Sequence, residues 1–258
     1  MKIVVLVKEV PDTYGERTLS LETGLAERDD SEKVLDEIGE RALEVALAHA
    51  DAHPDTEVVV LSMTPESAQA TVRKGLAMGA GSAVHIADPA LHGADLGLTA
   101  EVLAAALTKI GYDLVITGNQ STDGSAGVIP AMLAERLGVG QATALTTVSL
   151  TDESATGTRA TDAGVATVTA ALPAVISITE ALPDARFPNF KGIMAAKKKP
   201  LETWTLADLD VDPERPDMPR SIMIAAAAKP ARSAGVKITD DGDAGEKLAE
   251  FLIQNRLV

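Results

Sequence analysis

The sequence has 258 residues, 46% of them hydrophobic, and its 38 acidic and 23 basic residues give a net charge of −15. So acidic a chain is a poor partner for nucleic acid or for an anionic membrane, because both require a basic surface. It contains no cysteine, which excludes disulfides, thiolate nucleophiles and cysteine-ligated clusters. Residues 1–7 are typical of a strand and not of a leader, and no apolar run has membrane-spanning length, so we expect a cytoplasmic protein.

The first half of the chain alternates apolar runs with amphipathic stretches. Buried strands are predicted at Ile3–Val7, Glu57–Leu61, Ala83–Ile86 and Leu114–Thr117, and helices after Asp36, over Ser67–Met78 and from Leu96 to Ile110. This alternation implies parallel strands joined by right-handed crossovers. We therefore predict an α/β fold with a mostly parallel, doubly wound sheet and helices on both faces.

The connection that follows the fourth predicted strand is rich in small residues. Gly118, Gly124 and Gly127 allow tight turns and close approach of the backbone to a ligand. Proline is tolerated only in the first turn of a helix, so a helix should begin just before Pro130. The free amides of residues 124–129 would then form a site suited to phosphate, although the same pattern also fits a connection that only turns.

Ligands of parallel α/β sheets bind outside the carboxyl ends of the strands. This rule brings together Leu6–Asp12, Asp36–Gly39, Met63–Glu66 and Gly118–Ile129. Neither a Walker A lysine nor an N-terminal Gly-x-Gly-x-x-Gly fingerprint is present. We therefore expect a binding protein with no catalytic residues of its own.

Two pairs of polar residues have spacings that chemistry could use. His49 and His53 lie one turn apart, which could hold a metal, but Pro54 closes the helix and a solvated helix end is favoured. Asp12 and Asp123 could act as a carboxylate pair, although turn and capping roles are favoured. No metal site is predicted.

The second half of the chain differs in composition. Short Thr- and Val-rich runs predict strands that complete or flank the sheet, at Thr143–Leu150, Val165–Ala171 and Ala174–Ile178. Leu182–Pro200 has the composition of a loop, and Glu246–Leu257 predicts a final amphipathic helix. We expect an α/β nucleotide-binding domain over residues 1–200, including a docking loop at 184–199, and a linker with a C-terminal arm over 201–258.

The docking loop is basic and aromatic within an acidic chain. It holds two of the three phenylalanines, Phe187 and Phe190, and its basic residues are Arg186, Lys191, Lys197, Lys198 and Lys199. An exposed ring flanked by positive charge is typical of a docking element. The alternative is that both rings pack into the body and the lysines are a solvated surface.

The sequence resembles the electron transfer flavoprotein family, specifically its β subunits. The matching segments are Val7–Asp12, Ala68–Ala80, Asp113–Val115, Gln120–Gly124, Leu172–Val175 and, most specifically, Arg186–Leu201. The resemblance implies an adenine-nucleotide-hydrolase-like fold and a heterodimer with an α subunit that carries most of the FAD contacts. It also implies electron transfer from dehydrogenases, acyl-CoA dehydrogenases among them, to a membrane oxidoreductase.

The resemblance further implies a bound AMP without redox function in this subunit, or a second FAD there in electron-bifurcating members. The implied contacts are Leu6, Asp36, Glu37, Ile38, Gly39, Met63, Asp123, Gly124, Ser125, Ala126, Gly127, Val128, Ile129, Pro130, Ala131, Met132, Leu133 and Ala134. Several positions depart from the family pattern: Asp36–Gly39 replaces an Asn-Pro-Phe-Asp segment, Val128 and Ile129 replace a polar pair, and Ser125 replaces an acidic residue. Backbone amides are therefore left to hold the phosphate.

The family also implies that a residue at the position of Phe190, commonly leucine, anchors dehydrogenases. Either Tyr14 or Thr13 corresponds to a residue close to the flavin. Two other functions remain open from the residues: an adenylate-activating or nucleotide-hydrolysing enzyme, and a stand-alone adenine-nucleotide-binding module.

Overall fold

The computed structural model describes residues 1–28, 31–218, 220–232 and 235–258. The strands are β1 Lys2–Leu6, β2 Glu9–Pro11, β3 Lys33–Leu35, β4 Glu57–Met63, β5 Ser82–Ile86, β6 Leu114–Gly118, β7 Gly140–Leu145, β8 Thr147–Leu150, β9 Ser154–Thr161, β10 Gly164–Ala171, β11 Ala174–Ile178 and β12 Leu201–Trp204. The helices are α1 Glu37–Ala52, α2 Gln69–Met78, α3 Leu96–Ile110, α4 Ile129–Leu137, α5 Phe190–Ala196 and α6 Ala244–Gln254. The chain divides into two compact units, Met1–Ala225 and Ala226–Val258.

A parallel sheet forms the centre of the first unit. Among the described residues it has seven strands, in the order β12-β5-β4-β1-β6-β11-β7, and each neighbouring pair is parallel. The predicted α/β fold is confirmed. The chain first adds strands on one side of β1 and then crosses to the other side to form β6, which makes the sheet doubly wound.

The sheet is buried on both faces. Ile3 and Val5 pack into the cluster that contains the inner faces of α1 and α2, whereas Val4 packs with α3 and α4. Successive side chains of a strand point to opposite faces, so β1 needs apolar residues at every position. This requirement explains why continuous runs of valine and isoleucine predicted the central strands correctly.

The structure has two smaller sheets that the sequence predicted only in part. β2 and β3 form an antiparallel pair within the long connection between β1 and α1. β8, β9 and β10 form a separate antiparallel sheet that flanks the main one. β9 is built of small and polar residues, including Gly157, whose Cβ position would lie 2.1 Å from the carbonyl oxygen of Thr147. Only glycine allows that close approach, and such a strand carries little hydrophobic periodicity.

The segment predicted as a docking loop contains the short helix α5. The side chain of Asn189 caps this helix by accepting a hydrogen bond from the amide of Gly192 at 2.8 Å. Next along the chain, β12 pairs with β5 and so belongs to the main sheet. The compact unit therefore continues to Ala225, beyond the boundary expected after Pro200.

The second unit contains α6. This helix begins two residues before the predicted Glu246 and ends before Leu257. An ion pair between Asp243 and Lys247, one turn apart at 2.8 Å, lies at its start.

Gly118 at the end of β6 offers a test of how closely α1 packs on the sheet. A Cβ there would lie 2.6 Å from Cγ2 of Ile38. We expect Gly118→Ala to lower the free energy of unfolding by about 1–3 kcal/mol, the usual cost of overpacking a core. Gly124→Ala is the control, because its Cβ would meet only an ordinary contact at 3.5 Å. Equal denaturant midpoints for the two variants would contradict this packing.

Candidate functional site

A large cleft lies at the carboxyl end of the sheet, where the connections after β1 and β6 diverge. Its volume is about 1300 Å³. All four segments predicted from the strand ends contribute to its wall, including Leu6, Gly39, Met63 and Gly127. The wall also includes the connection from β5 to α3, through residues 87–96. Clefts at such a switch point of an α/β sheet are the usual ligand sites of this architecture.

Only some of the free amides predicted for residues 124–129 are available in the loop between β6 and α4. The amide of Gly124 donates to the Asp123 carboxylate at 2.7 Å, and that of Ser125 donates to the carbonyl of Ser121 at 3.1 Å. These two donors are used within the loop, so the expectation that they are free was wrong. Among the described residues, the amides of 126–128 have no hydrogen-bond acceptor. The donors available to a ligand therefore begin at Ala126.

Backbone geometry supports the open loop. Ser125 and Gly127 have φ values of 52° and 67°. At Gly127 this left-handed conformation is suited to glycine, and a Cβ would lie 3.1 Å from the Gln120 side chain. Pro130 is in the first turn of α4, as predicted.

Asp36 joins the two sides of the cleft. It occupies the N-cap position of α1, but its side chain makes no capping bond to that helix. Instead, Oδ2 accepts a hydrogen bond from the amide of Thr122 at 2.9 Å. The side chain lies in the cleft wall at only 2% exposure, and Oδ1 has no hydrogen-bond partner among the described residues.

Asp123 carries an ion-pair cluster behind the loop. Lys8 Nζ lies 2.8 Å from its carboxylate, and Arg28 Nη2 lies 2.6 Å from Oδ2. Arg17 donates to the carbonyls of Thr122 and Pro11. The loop is therefore held by three cationic side chains from the first 28 residues.

The two carboxyl groups titrate in opposite directions. Burial raises the pKa of Asp36, and repulsion by Asp123 adds to this effect. Burial would also raise the pKa of Asp123, but the charge and hydrogen bond of Lys8 and the hydrogen bond of Arg28 hold it far below its usual value. Asp123 is thus held in its charged form, whereas burial favours the neutral form of Asp36.

The predicted contacts fall into two groups. Ten line the cleft: Leu6, Asp36, Ile38, Gly39, Met63, Gly124, Ala126, Gly127, Ile129 and Pro130. Eight do not: Glu37, Asp123, Ser125, Val128, Ala131, Met132, Leu133 and Ala134. Leu133 and Ala134 are buried in the core beneath α4, so their side chains support the helix.

Sequence reasoning gave no role to several residues of the cleft wall, among them Lys8 and Arg28, and it did not predict the part of the wall at residues 87–96. Lys8 was within a collected segment but was given no role, and Arg28 comes from an irregular stretch. The wall at residues 87–96 follows β5, so the rule about strand ends could have included it. The carboxylates of Asp12 and Asp123 serve a turn and an ion-pair cluster, respectively.

The basic segment is a second candidate surface, and part of its charge is used internally. Arg186 makes two bonds to the Glu44 carboxylate, at 2.7 and 2.8 Å, and one to Asp51 at 2.9 Å. Lys199 donates to three carbonyls at the C-terminal end of α2, at distances between 2.6 and 3.1 Å. Both residues therefore hold the segment against the body.

The rest of the segment is exposed. Phe187 and Phe190 are 93% and 80% exposed, and Ile193 and Met194 extend the apolar face of α5. Within the described residues, Lys191, Lys197 and Lys198 make no ion pair. Both aromatic rings thus point away from the core, contrary to the alternative that they pack into the body.

The described residues contain neither a metal-binding group nor a membrane-spanning helix. No group of three or more His, Asp or Glu side chains could hold a metal there. His49 and His53 stack on each other, with ring centroids 4.1 Å apart. None of the helices in the described ranges is long and apolar enough to cross a membrane.

The fold and the cleft define a doubly wound α/β protein with an open cleft at its switch point. The electron transfer flavoprotein domain family matches residues 23–209. The chain belongs to the electron transfer flavoprotein family, which functions in electron transfer.

Relatives match over nearly the full length. The chain is 45% identical to the electron transfer flavoprotein subunit beta of Mycobacterium leprae and 44% identical to that of Mycobacterium bovis, with 99% of each chain covered. It is 33% identical to the caffeyl-CoA reductase-Etf complex subunit CarD of Acetobacterium woodii, over 93% of this chain and 92% of that protein.

The opposite pKa shifts predict opposite effects of neutral substitutions. The pKa of Asp36 is higher in the folded protein than in the unfolded chain. Its charged form therefore lowers the free energy of unfolding once the pH exceeds the pKa of the unfolded chain. Asp36→Asn keeps an oxygen for the Thr122 amide, so its stability relative to the natural chain should rise from about pH 4 to about pH 7. Denaturant unfolding at both pH values measures this change.

Asp123→Asn is the matched comparison. The pKa of Asp123 is lower in the folded protein than in the unfolded chain, so its charge stabilises the fold at any pH above the pKa of the unfolded chain. That contribution is lost as the pH falls through the pKa of the folded protein. This variant should be less stable than the natural chain at neutral pH, with a deficit that shrinks in acid. The same pH trend for both variants would refute the assignment of opposite environments.

Proposed function

We propose that this chain is the β subunit of a heterodimeric electron transfer flavoprotein that acts in the cytoplasm. In this proposal it binds a structural AMP in the cleft, supports an FAD held mainly by an α subunit, and docks dehydrogenases such as the acyl-CoA dehydrogenases of fatty acid oxidation. The observation that carries the proposal is the open cleft at the switch point, combined with family membership over nearly the whole chain.

The residues of the cleft suit an adenylate. Free amides at 126–128 and the start of α4 provide donors and a partial positive charge for phosphate. Leu6, Ile38 and Met63 supply apolar surface for an adenine ring. The other predicted contacts would act through backbone groups or by supporting α4 from the core.

The redox chemistry would belong to the flavin and not to this chain. FAD supplies the electron-carrying ring when it is bound, and the protein provides binding and orientation. Tyr14 is 99% exposed and Thr13 is also exposed, so either side chain is available to a partner subunit that carries the flavin.

The exposed apolar face around Phe190 would be the dehydrogenase contact. Two exposed rings and three lysines without ion pairs among the described residues have the composition of an interface anchor with a charged rim. Arg186 and Lys199 would fix the position of this face on α1 and α2. A preorganised anchor reduces the entropy lost on binding.

A second candidate is an electron-bifurcating protein with a second FAD in place of AMP. The size of the cleft favours it, because about 1300 Å³ exceeds the upper end of the usual range for small-molecule pockets, about 1000 Å³. The wall at residues 87–96 would then contact the part of the ligand beyond the phosphate. A count of flavins per heterodimer separates the two candidates: one flavin with AMP, or two flavins.

Nucleotide release tests the cleft. We expect the purified protein, once denatured, to release one adenine nucleotide per chain, identified by chromatography and mass spectrometry. Gly127→Ala should lower this occupancy, because a Cβ would strain a left-handed residue in the cleft wall. Gly111→Ala is the control, since Gly111 has a similar φ of 72° but lies outside the wall. Recovery of no adenine compound from the natural chain would remove the nucleotide assignment.

Electron transfer from an acyl-CoA dehydrogenase tests the docking face. Phe190→Ala should raise the KM for the dehydrogenase by about tenfold or more, as expected for an anchor residue. Flavin content should not change. Val165→Ala is the control, because Val165 is exposed to a similar degree on β10. Unchanged coupling in the Phe190 variant would show that this ring is not the anchor.

A further inference from the structure

Among the described residues, three cationic side chains contact the loop after β6: Lys8 and Arg28 through Asp123, and Arg17 through the carbonyl of Thr122. Lys8 and Arg28 both pair with Asp123, so two cations share one carboxylate. Asp36, a second acidic group that contacts the loop, accepts a hydrogen bond from the backbone amide of Thr122. In a chain with a net charge of −15, two cations that share one carboxylate mark a site for an additional anion.

The cations, and not their carboxylate partner, face the cleft. The side chain of Asp123 is only 4% exposed and lies outside the cleft wall, whereas those of Lys8 and Arg28 are 41% and 36% exposed and line it. Asp123 therefore supports both side chains from behind. An ammonium and a guanidinium that share one supporting carboxylate keep donors available to a ligand in front of them.

A separate feature of the same wall indicates that the ligand also carries hydrogen-bond donors. Asp36 is 2% exposed, and its Oδ1 has no partner among the described residues. A buried carboxylate oxygen without a donor is costly, and either the Thr122 hydroxyl, which also has no partner among the described residues, or a sugar hydroxyl in the cleft would satisfy it. Cations for an anion and an acceptor for a hydroxyl match the phosphate and ribose of a nucleotide.

We propose that Lys8 and Arg28 bind the phosphate of the cleft nucleotide, together with the free amides of residues 126–128. This inference rests on the proposed nucleotide function and adds the side chains that discriminate phosphate. It also explains how the site compensates for the apolar residues Val128 and Ile129 at the start of α4. A bound phosphate would share the two cations with Asp123, in the manner of a charge-assisted network.

The test compares AMP with adenosine on protein freed of nucleotide, by titration calorimetry. The natural chain should bind AMP at least about tenfold more tightly than adenosine, which corresponds to one strong charged contact. Lys8→Met and Arg28→Met should each weaken AMP binding several-fold and leave adenosine affinity unchanged. Lys8→Arg should restore most of the preference for AMP, because it keeps the charge.

Arg17→Met is the matched control. Arg17 also contacts the loop, but through the carbonyls of Thr122 and Pro11, and its side chain does not line the cleft. Its loss should lower stability without changing the ratio of AMP to adenosine affinity. Unfolding midpoints of all variants identify any loss of binding that comes from misfolding.

The outcomes separate this inference from the proposed function. Equal affinity for AMP and adenosine in the natural chain, or an unchanged ratio in both methionine variants, would overturn the phosphate role while leaving adenine binding intact. Binding of neither compound would overturn the nucleotide function itself. If one methionine variant does not fold, the other methionine variant and Lys8→Arg still decide the question, because the amides of residues 126–128 alone would also favour AMP in the natural chain.

Discussion

The hydrogen bond from the Thr122 amide to Asp36 holds the two sides of the cleft together. β1 and β6 are hydrogen-bonded neighbours, but the connections that follow them lead to helices on opposite faces of the sheet. Among the described residues, no strand ladder joins these connections once β1 and β6 have ended, and side chains join them instead. A carboxylate is suited to this because it accepts more than one hydrogen bond, but its burial costs free energy, as the raised pKa of Asp36 reflects.

The long connection between β1 and α1 positions cationic side chains at the loop after β6. It leaves the sheet through β2 and returns through β3, and between them it brings Arg17 and Arg28 to the loop after β6. Cations at this place would repel one another without Asp123. The buried carboxylate of Asp123 thus fixes both the shape of the loop and the position of the cations on the cleft wall. Because its pKa is lowered, this carboxylate keeps its negative charge over the physiological pH range.

These interactions mark the limit of what the sequence alone can predict. The strands β1, β4 and β6 and the wall at Leu6 and Met63 were predictable, because burial on both faces and the rule about strand ends act locally. The pairing of Arg28 with Asp123 joins residues 95 positions apart, and no local pattern encodes it. Helix α5 was missed because Gly192, which lowers helix propensity, is required where a Cβ would lie 2.4 Å from the carbonyl oxygen of Ala77.

That contact shows how the two candidate surfaces are connected. The segment between β4 and α2, from Met63 to Ser67, lies in the cleft wall, and the other end of α2 carries α5 and the carbonyls that Lys199 binds. A helix of ten residues is about 15 Å long and rigid, so it sets the separation between cleft and docking face. On the proposed function, a nucleotide that fixes the first end of α2 also fixes the platform for Phe190. The proposed AMP, which has no redox chemistry, would then have a physical role in an electron carrier.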